Sequence, residues 1–377
     1  MHKQIPISVY IHFPWCIKKC PYCDFNSHAI SNPIPQKQYY QACIQDFNNS
    51  IPLLNGRKLQ SIFIGGGTPS LIEPLYLQLL LEHIQPYCHN NTEVTMEVNP
   101  GSFEIAKFQD FFQAGINRLS IGVQSFNEYH LKKLGRVHNS KQAIHAVTTA
   151  QDIGFDNINI DIMHSLPSQT IEQAKLDIQK ALDLNIQHIS YYQLTLEPNT
   201  YFHLYPPQNL PNHDITYQIE KQGKQLLHKA QFLQYEISAY AKIECKHNLN
   251  YWKFGDYLGI GAGAHGKITT QNNILRTHKN KQPQTYISQI NKNSTNPQKI
   301  LTKQDIIIEF MLGALRLYKG FNYELFYQRT GLTTDAIEDN LSVAVQAGLI
   351  DLENNTVTPS DTGRRFLNNL LEIFLPR

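Results

Sequence analysis

The sequence has little charge and almost no imbalance of charge. Only 17% of its 377 residues are charged, and 33 basic residues stand against 31 acidic ones. Proteins that coat nucleic acid hold it through a large excess of lysine and arginine, and acidic disordered tails need the opposite excess. The composition therefore excludes both classes, and nucleic acid is not expected as a partner. With 18 Phe and 20 Tyr, the chain has ample material for a folded core.

Cysteines and long apolar runs are also scarce. Six cysteines are too few for a disulfide scaffold in a chain of this length. No run approaches the roughly 18 apolar residues of a membrane-spanning helix, and the opening segment MHKQIPISVYIHFPWC lacks the apolar core of a secretory signal. We therefore expect a cytoplasmic protein with reduced thiols. Three of the cysteines fall within eight positions and indicate a metal centre: Cys16, Cys20 and Cys23.

Short apolar runs alternate with helical patterns over the first two-thirds of the chain. This alternation predicts βαβ units and a parallel sheet. Six units fit either an open doubly wound sheet or a β/α barrel that lacks two units, and the alternation leaves both possibilities open. The predicted strands are 9–13, 61–64, 93–98, 118–123, 157–162 and 188–194.

The remaining third of the chain divides into two further regions. Extra strands are predicted at 235–240 and 257–260, with a polar loop that carries CKHNLNYWKFGD between them. The polar stretch 280–299 is typical of an exposed linker. Beyond residue 300, helical patterns and a tight hairpin predict a small helical, winged-helix-like domain. The predicted domains are a first domain over 1–235, an extension and linker over 236–300, and a helical accessory domain over 301–377.

The candidate metal centre is CIKKCPYC, a C-x3-C-x2-C motif directly after the first predicted strand. Three thiolates are one ligand short of a closed tetrahedral zinc site and one short of a fully ligated four-iron cluster. A four-iron cluster with three protein ligands leaves one iron open to a substrate or cofactor. The alternative is a Cys3His zinc site with His12 or His28 as the fourth ligand, although this spacing is unusual for zinc.

Polar or glycine-rich motifs follow the carboxyl ends of the predicted strands. They are GGGTPS, EVNPG, GVQSF, IDIMHSLP and YYQLTLEP. In parallel α/β folds the active site is assembled at this edge of the sheet, and glycine-rich turns let backbone N–H groups approach an anion. Each motif alone also fits an ordinary structural role, such as a tight turn for the glycines or a strand-end cap for Asp161. Together the motifs predict a ligand site at this edge.

The cysteine motif, with Tyr22 before its third cysteine, resembles the signature of the radical S-adenosylmethionine superfamily. The resemblance implies a six-unit partial parallel β/α barrel with added strands. It also implies a [4Fe-4S] cluster on Cys16, Cys20 and Cys23, whose open iron chelates S-adenosylmethionine and whose reduction cleaves it to a deoxyadenosyl radical. The residues that match the superfamily's contacts to this cofactor are Tyr10, Tyr22, Gly66, Gly67, Thr68, Glu97, Gln124, Arg136 and Asp161.

Motifs along the whole chain resemble the family around oxygen-independent coproporphyrinogen III oxidase. The oxidase carries a fourth cysteine two residues after the third, where this chain has Phe25. The branch of HemW-type haem chaperones instead carries HNxxYW, which HNLNYW matches. Ser165, at a usual glycine position, and a short loop before the motif depart from the family pattern. The resemblance implies that haem is bound by His247, Asn248, Tyr251 and Trp252.

The haem-chaperone resemblance implies several properties of the protein. It would bind haem, dimerise when its cluster is loaded, and deliver haem to respiratory enzymes of the membrane. It would lie in the cytoplasm or peripherally at the inner face of that membrane. A neutral imidazole is a good axial haem ligand and aromatic faces suit a porphyrin, although the residues of the motif alone favour a packed loop. The alternatives are a coproporphyrinogen III dehydrogenase, which decarboxylates propionates by radical chemistry, and a simple zinc-binding α/β protein. Whether the chain is an enzyme stays open at this point.

Overall fold

The fold is organised around one large mixed sheet. The computed structural model describes residues 5–292 and 297–376. Twelve strands form the main sheet, three form a small sheet near the carboxyl terminus, and two form a short pair. The strands are β1 (Ile7–Phe13), β2 (Trp15–Cys16), β3 (His28–Ala29), β4 (Leu59–Gly66), β5 (Cys88–Val98), β6 (Arg118–Gln124), β7 (Ile158–His164), β8 (His188–Gln193), β9 (Leu233–Glu236), β10 (Ala239–Ala241), β11 (Asp256–Ile260), β12 (His265–Thr269), β13 (Ile274–His278), β14 (Gln298–Ile300), β15 (Phe321–Asn322), β16 (Ile350–Glu353) and β17 (Thr356–Pro359).

Helices connect most of these strands. Most lie between successive strands of the main sheet, and the last group follows it. The helices are α1 (Gln36–Leu54), α2 (Pro74–Ile84), α3 (Ser102–Ile105), α4 (Phe108–Gln113), α5 (Glu128–Lys133), α6 (Ser140–Ile153), α7 (Ile171–Asp183), α8 (Tyr201–Leu204), α9 (His213–Lys229), α10 (Lys246–Trp252), α11 (Pro283–Asn291), α12 (Lys303–Ala314), α13 (Tyr323–Thr330), α14 (Glu338–Gln346), α15 (Asp361–Arg365) and α16 (Leu367–Glu372).

The strand order distinguishes between the two predicted architectures. Seven neighbouring strands are parallel, in the order β11, β1, β4, β5, β6, β7, β8. From β1 to β8 the order follows the chain without reversal, whereas a doubly wound sheet reverses its order at a switch point. Right-handed crossovers in one direction place all the connecting helices on one face. The predicted six-unit partial barrel is therefore confirmed, and in the described ranges its end strands β14 and β9 do not pair.

Apolar and polar residues alternate along the strands, so the main sheet has one apolar face and one polar face. In β1, Val9 and Ile11 are buried in the main hydrophobic core together with Phe47 of α1. Ser8 lies on the opposite, concave face, where its hydroxyl is 2.7 Å from that of Ser61 on β4. Successive strand residues point to opposite faces, so the sequence alternation itself creates a polar concave surface.

Local signals set the ends of the connecting helices. Asn139 and Thr170 begin α6 and α7 with capping boxes, in which Gln142 and Gln173 complete the reciprocal hydrogen bonds. These bonds serve N–H groups that have no acceptor within the helix. Helix α6 ends at Gly154, which adopts a left-handed φ of 115° that favours glycine. These capping residues therefore fix where α6 and α7 begin and where α6 ends.

Two expectations for the region after residue 230 are wrong. The segment 235–240 is a β9–β10 hairpin rather than one strand, because the Glu236 carboxylate accepts hydrogen bonds from the N–H and hydroxyl of Ser238 at the turn. The segment that carries HNLNYW is helix α10 rather than a polar loop. The Glu93 carboxylate accepts hydrogen bonds from the backbone N–H groups of Lys246 and His247, which lie in the first turn of α10. An acceptor at this end stabilises a short helix.

The predicted exposed linker over 280–299 is also largely wrong. Helix α11 occupies 283–291, and Tyr286, Ile287 and Ile290 bury its apolar face in the main hydrophobic core. These three positions lie on one side of the helix, but the many polar residues around them made this helical pattern hard to recognise in the sequence. Part of the predicted linker, residues 293–296, lies outside the described residues.

A second hydrophobic cluster holds the carboxyl-terminal region together. Phe310, Phe326 and Leu341 are buried there, and the β16–β17 hairpin follows α14 as in a winged helix. Phe254 also belongs to this cluster, so the segment after α10 packs against the terminal helices. The predicted winged-helix-like arrangement is present, while the domain boundaries at 235/236 and 300/301 stay predictions. Nowhere in the described part of the chain does a helix combine the length and apolarity needed to cross a membrane.

Candidate functional site

The three clustered cysteines lie beyond the carboxyl end of β1. Cys16 is buried, and Cys20 and Cys23 are partly buried. The N–H of Cys23 donates to the carbonyl of Cys20 at 3.1 Å, and the Ser27 hydroxyl lies 3.8 Å from the Cys23 sulfur. Burial raises the pKa of the Cys16 and Cys23 thiols above the usual range. Metal binding favours the thiolate, so these groups release protons when they ligate a metal.

The surroundings of the cysteines fit an iron–sulfur cluster and argue against the Cys3His alternative. His12 has both ring nitrogens in hydrogen-bond range of neighbours, 2.9 Å from the Tyr10 hydroxyl and 2.8 Å from the Asn26 carbonyl. The Nε2 atom of His28 is 3.2 Å from the Lys281 carbonyl. The ring nitrogens of His12 are thus engaged with other partners, and thiolates without a histidine are the usual ligands of a [4Fe-4S] cluster.

A chain of polar contacts connects the cysteine loop to the glycine-rich turn after β4. The Nη1 atom of Arg136 is 3.7 Å from the Cys20 sulfur, and its Nη2 donates to Asn99 at 2.6 Å and to the Gly122 carbonyl at 2.7 Å. The Asn99 amide donates to the Thr68 hydroxyl at 3.3 Å. A guanidinium beside a cysteine sulfur stabilises negative charge there. Asn99 was missed from the sequence, although it stands in the quoted EVNPG motif.

The glycine-rich turn requires glycine because backbone packs against backbone. A Cβ atom on Gly67 would lie 2.3 Å from the Trp15 carbonyl oxygen, and Gly66 has a φ of 116°. The N–H of Thr68 donates to the same Trp15 carbonyl at 2.7 Å. The N–H of Gly66 donates to a carboxylate oxygen of Glu97 at 3.1 Å. The turn is therefore held between the base of the cysteine loop and the concave face.

Two carboxyl groups lie next to each other on the concave face. Burial, with a contribution from Asp161, raises the pKa of Glu97 to about 8. Burial also raises the pKa of Asp161, whose carboxylate accepts from the Asn159 amide at 2.8 Å. Neighbouring buried carboxyl groups favour either a proton or a positively charged ligand. This part of the face is therefore suited to a cationic ligand.

The other predicted cofactor contacts surround the same carboxyl groups. Gln124, with a φ of 69°, accepts from the Tyr192 hydroxyl at 2.8 Å. The Tyr22 ring lies 6.5 Å from that of Phe202, and the Tyr10 ring stacks 6.3 Å from that of Phe63. The structure thus brings all nine predicted residues to one rim. Tyr192 was missed, although it stands in the quoted YYQLTLEP motif.

The structure does not bring the four predicted haem residues to one surface. His247 is only 8% exposed on the concave face, where its ring lies 5.0 Å from that of Phe63 and its Nδ1 is 3.1 Å from the Ser61 hydroxyl. Burial, with the nearby Arg118 charge, lowers the pKa of His247 to about 3, so the imidazole is neutral. Asn248 is half-buried beside it. The two aromatic residues, Tyr251 and Trp252, lie at the carboxyl-terminal end of α10, which we call its outer end.

Asn250, at a variable position of the motif, anchors α10. Its amide donates to the Ser8 hydroxyl at 3.1 Å and to the Asp256 carbonyl at 2.8 Å. A Cβ atom on Gly255 would lie 1.8 Å from the Asn250 side-chain oxygen. No periodic signal in the sequence marks this residue, and its partner Ser8 is 242 residues away in the chain.

Relatives are similar over the whole chain. A protein of Escherichia coli strain K12 named heme chaperone HemW is 44% identical over 380 residues, which cover all of both chains. The chain belongs to the HemW family of haem chaperones. The HemW of Bacillus subtilis strain 168 is 34% identical, across 98% of this chain and 99% of its own length.

Domain and structure comparisons agree with this family. The chain matches the radical SAM superfamily over residues 10–181 and the HemN C-terminal domain over residues 301–366. The coproporphyrinogen III oxidase (HemN) of Escherichia coli superposes with a TM-score of 0.83 at 22% identity, covering 99% of this chain and 91% of that chain. At this identity the likeness concerns the fold, and it confirms the radical SAM-type architecture. The superfamily implies a [4Fe-4S] cluster and S-adenosylmethionine as cofactors.

Proposed function

We propose that this protein binds haem and delivers it to haem-dependent proteins. The observation that carries the proposal is the 44% identity, along the full chain, to a relative named as a haem chaperone, against 22% to the oxidase. The cysteine loop agrees, because Phe25 stands at the position of the oxidase's fourth cysteine. Its side chain is 57% exposed beside the loop.

We propose that Cys16, Cys20 and Cys23 hold the cluster and that the rim around them holds S-adenosylmethionine. When bound, the cluster supplies an iron without a protein ligand, to which the cofactor's amino and carboxylate groups can chelate. Arg136 balances negative charge at Cys20, and the Glu97 and Asp161 carboxyl groups face the cationic part of the cofactor. The complete proposed set of cofactor contacts is Tyr10, Tyr22, Gly66, Gly67, Thr68, Glu97, Gln124, Arg136 and Asp161.

The proposed role of Glu97 predicts a pH dependence of cofactor binding. Since burial raises the pKa of Glu97 to about 8, the carboxyl group is neutral below that pH and must lose its proton to face a cation. We expect S-adenosylmethionine to bind more tightly as the pH rises toward 8, by up to about tenfold per unit. Calorimetry on the cluster-loaded protein between about pH 6 and pH 9 measures this. The affinity of Glu97→Gln for S-adenosylmethionine should lack this pH dependence. Affinities that change in parallel with pH in Glu97→Gln and wild type would contradict the proposed role of Glu97.

We propose that haem binds at the HNLNYW helix, through His247, Asn248, Tyr251 and Trp252. In the described conformation His247 is buried against Phe63, so its coordination of haem iron requires α10 to move away from the strands. Its neutral imidazole is the form that coordinates iron. Tyr251, at the outer end of α10, is 41% exposed and offers a face for the porphyrin, whereas Trp252 is half-buried under the Arg316 guanidinium.

Haem titration tests the proposed function. We expect the wild-type protein to give a saturable Soret band and His247→Ala to give a shifted or weaker one, because an axial ligand is lost. Asn250→Ala is the matched control, since it loosens the same helix and retains the imidazole. Identical spectra for wild type and His247→Ala would remove His247 as the ligand. A similar shift in Asn250→Ala would assign the effect to the position of the helix.

One observation favours a second function, coproporphyrinogen III dehydrogenase. The fold superposes on the oxidase with a TM-score of 0.83, and the concave face carries buried polar groups beside the cysteine loop. Phe25 and HNLNYW favour the chaperone instead. Protoporphyrinogen formation at a catalytic rate by the reduced protein, supplied with coproporphyrinogen and S-adenosylmethionine, would establish the enzyme and overturn our choice.

We also propose a setting for the protein. Its cysteines must stay reduced to bind iron, which suits the cytoplasm, and all six are free in the structure. By the family resemblance, the recipients are respiratory enzymes of the membrane, and the protein itself lies in the cytoplasm or peripherally at the inner face of that membrane. By the same resemblance, loading of the cluster produces a homodimer.

A further inference from the structure

Helix α10 lies across one row of residues on the concave face. In this row Ser8, Ser61 and Glu93 stand opposite one another on the neighbouring strands β1, β4 and β5. The Asn250 amide donates to the Ser8 hydroxyl at 3.1 Å, and the Nδ1 atom of His247 is 3.1 Å from the Ser61 hydroxyl. The third member of the row, Glu93, accepts hydrogen bonds from the first turn of the helix. The helix is therefore held by polar contacts to three adjacent strands.

Both oxygens of the Glu93 carboxylate are engaged by the start of α10. Its Oε1 accepts from the N–H of His247 at 3.1 Å and from the thiol of Cys245 at 3.4 Å. Its Oε2 accepts from the N–H of Lys246 at 3.1 Å. Cys245 is completely buried in this arrangement. The three donors belong to consecutive residues, so a movement of this turn away from the strands releases the whole carboxylate and uncovers Cys245.

Arg118 lies beside Glu93 without a counter-ion. It stands opposite Thr95 on the next strand, and Glu93 comes two residues before Thr95. Alternate residues of a strand share a face and neighbouring strands lie about 4.8 Å apart, so the two charged side chains are diagonal neighbours. Arg118 is 2% exposed, and within residues 5–292 and 297–376 its Nε has no acceptor and its guanidinium forms no ion pair. A buried cation in this state costs free energy.

The helix and Arg118 are thus alternative partners of one carboxylate. While α10 is in place, its three donors hold Glu93 and Arg118 lacks a partner. Once α10 has moved away, the carboxylate is free and a long arginine side chain on the neighbouring strand can reach it. The charge-assisted pair that then forms offsets part of the loss of the helix contacts. Each arrangement satisfies donors that the other leaves unpaired, which is the property of a two-state element.

We propose that Glu93 is a latch for α10 and that its transfer to Arg118 stabilises the open position of the helix. The latch concerns the fold alone, and its use in giving haem access to His247 rests on the proposed function. Arg118 is then a positioning residue, because it acts on the helix through Glu93. A ligand that binds only the open state has its affinity reduced in proportion to the fraction of open molecules.

The rate at which N-ethylmaleimide labels Cys245 tests the latch without haem. At low reagent concentration this rate is proportional to the population of the open state, and peptide mass spectrometry distinguishes Cys245 from the other cysteines. Arg118→Met removes the partner that Glu93 gains on opening, so we expect labelling about tenfold slower than in wild type. Asn250→Ala removes contacts of the closed helix, and it should label about tenfold faster. An unchanged or faster rate in Arg118→Met would overturn the proposal.

Two controls separate the latch from a general effect on the fold. Cys43 is also buried, at 1% exposed, but it lies in the main hydrophobic core, so its labelling reports global unfolding. Its rate should not fall in Arg118→Met. In a Glu93→Gln background, Arg118→Met should slow the labelling of Cys245 by less than about threefold, because the carboxylate is absent. The full tenfold effect in that background would overturn the proposal. Should Arg118→Met fail to fold, Arg118→Gln also lacks the charge, and it should slow labelling at least about threefold.

Haem titration connects the latch to the proposed function. Arg118→Met should bind haem about tenfold more weakly than wild type while its Soret band stays at the same wavelength, because the axial ligand is unchanged. A shifted band would make Arg118 part of the haem site and overturn its role as a positioning residue. Labelling rates that change as expected, in a wild-type protein that binds no haem, would overturn the proposed function and leave the latch in place.

Discussion

Replacing Cys16, Cys20 or Cys23 with serine will abolish iron binding after anaerobic reconstitution. Wild type is expected to hold about four irons per chain, and each variant fewer than about one, because two thiolates cannot retain a cluster that already lacks its fourth protein ligand. Iron and sulfide analysis together with the visible absorption of the cluster measures this. The effect is all-or-none, and it therefore exceeds that of any other substitution in the site.

Cys88→Ser is the matched control for the cysteine variants. Cys88 is also partly buried, but it begins β5, and its thiol donates to the Ile84 carbonyl at 3.6 Å. The variant should keep its four irons. A stoichiometric zinc atom in wild type, or iron retained in full by the three cysteine variants, would contradict the assignment of the ligands.

Removing the carboxylate of Asp256 is expected to lower the free energy of unfolding by about 3–5 kcal/mol. Asp256 lies at the start of β11, and its side chain is completely buried between Arg57 at 2.6 Å and Lys267 at 3.1 Å. The N–H and hydroxyl of Thr269 also donate to it. Asp256→Ala leaves two cations buried without their partner, which is far more costly than the loss of an exposed pair. Denaturant unfolding of both proteins measures the difference.

The exposed pair Lys175–Glu172, at 3.1 Å on α7, provides the comparison for Asp256. Glu172→Ala should change the unfolding free energy by less than about 1 kcal/mol. Burial opposes ionisation of Asp256, but Lys267 and Arg57 hold its pKa below the usual range. Its stabilising contribution is therefore present above the unfolded pKa of about 4 and is lost as the pH falls through the lower folded value. A loss in Asp256→Ala no larger than that in Glu172→Ala would contradict this account.

The strands of the partial barrel could be predicted because each carries its own signal. Short apolar runs such as 118–123, with helical patterns between them, are sufficient for β/α units whatever lies elsewhere in the chain. The location of the site could be predicted from the same strand pattern, because the carboxyl ends of parallel strands meet at one edge of the sheet. Asn99 and Tyr192 belonged to motifs on that rim but bind other side chains, and only the folded structure shows those partners.

The elements that could not be predicted either depend on residues far away in the chain or carry a local signal that is weak or unusual. Helix α10 begins where Glu93, more than 150 residues earlier, accepts its free N–H groups. The β9–β10 turn contains none of the Gly, Pro or Asn residues that mark hairpins, and the Glu236 carboxylate holds it instead. The apolar face of α11 has only four buried residues, one of them Pro283, among polar neighbours, so its helical period was too weak to recognise.

The short length of α10 gives its position a mechanical consequence. Seven residues span about 10 Å, and one end of the helix lies against Phe63 on the concave face while the other lies against Arg316. Gly313 of α12 faces the Trp252 carbonyl, to which a Cβ atom would come within 2.9 Å, so α12 packs closely against this end. A displacement of α10 from the strands would therefore disturb its packing on α12 as well. If ligands bind at both ends of the helix, thermodynamic linkage requires that each changes the affinity for the other by the same factor.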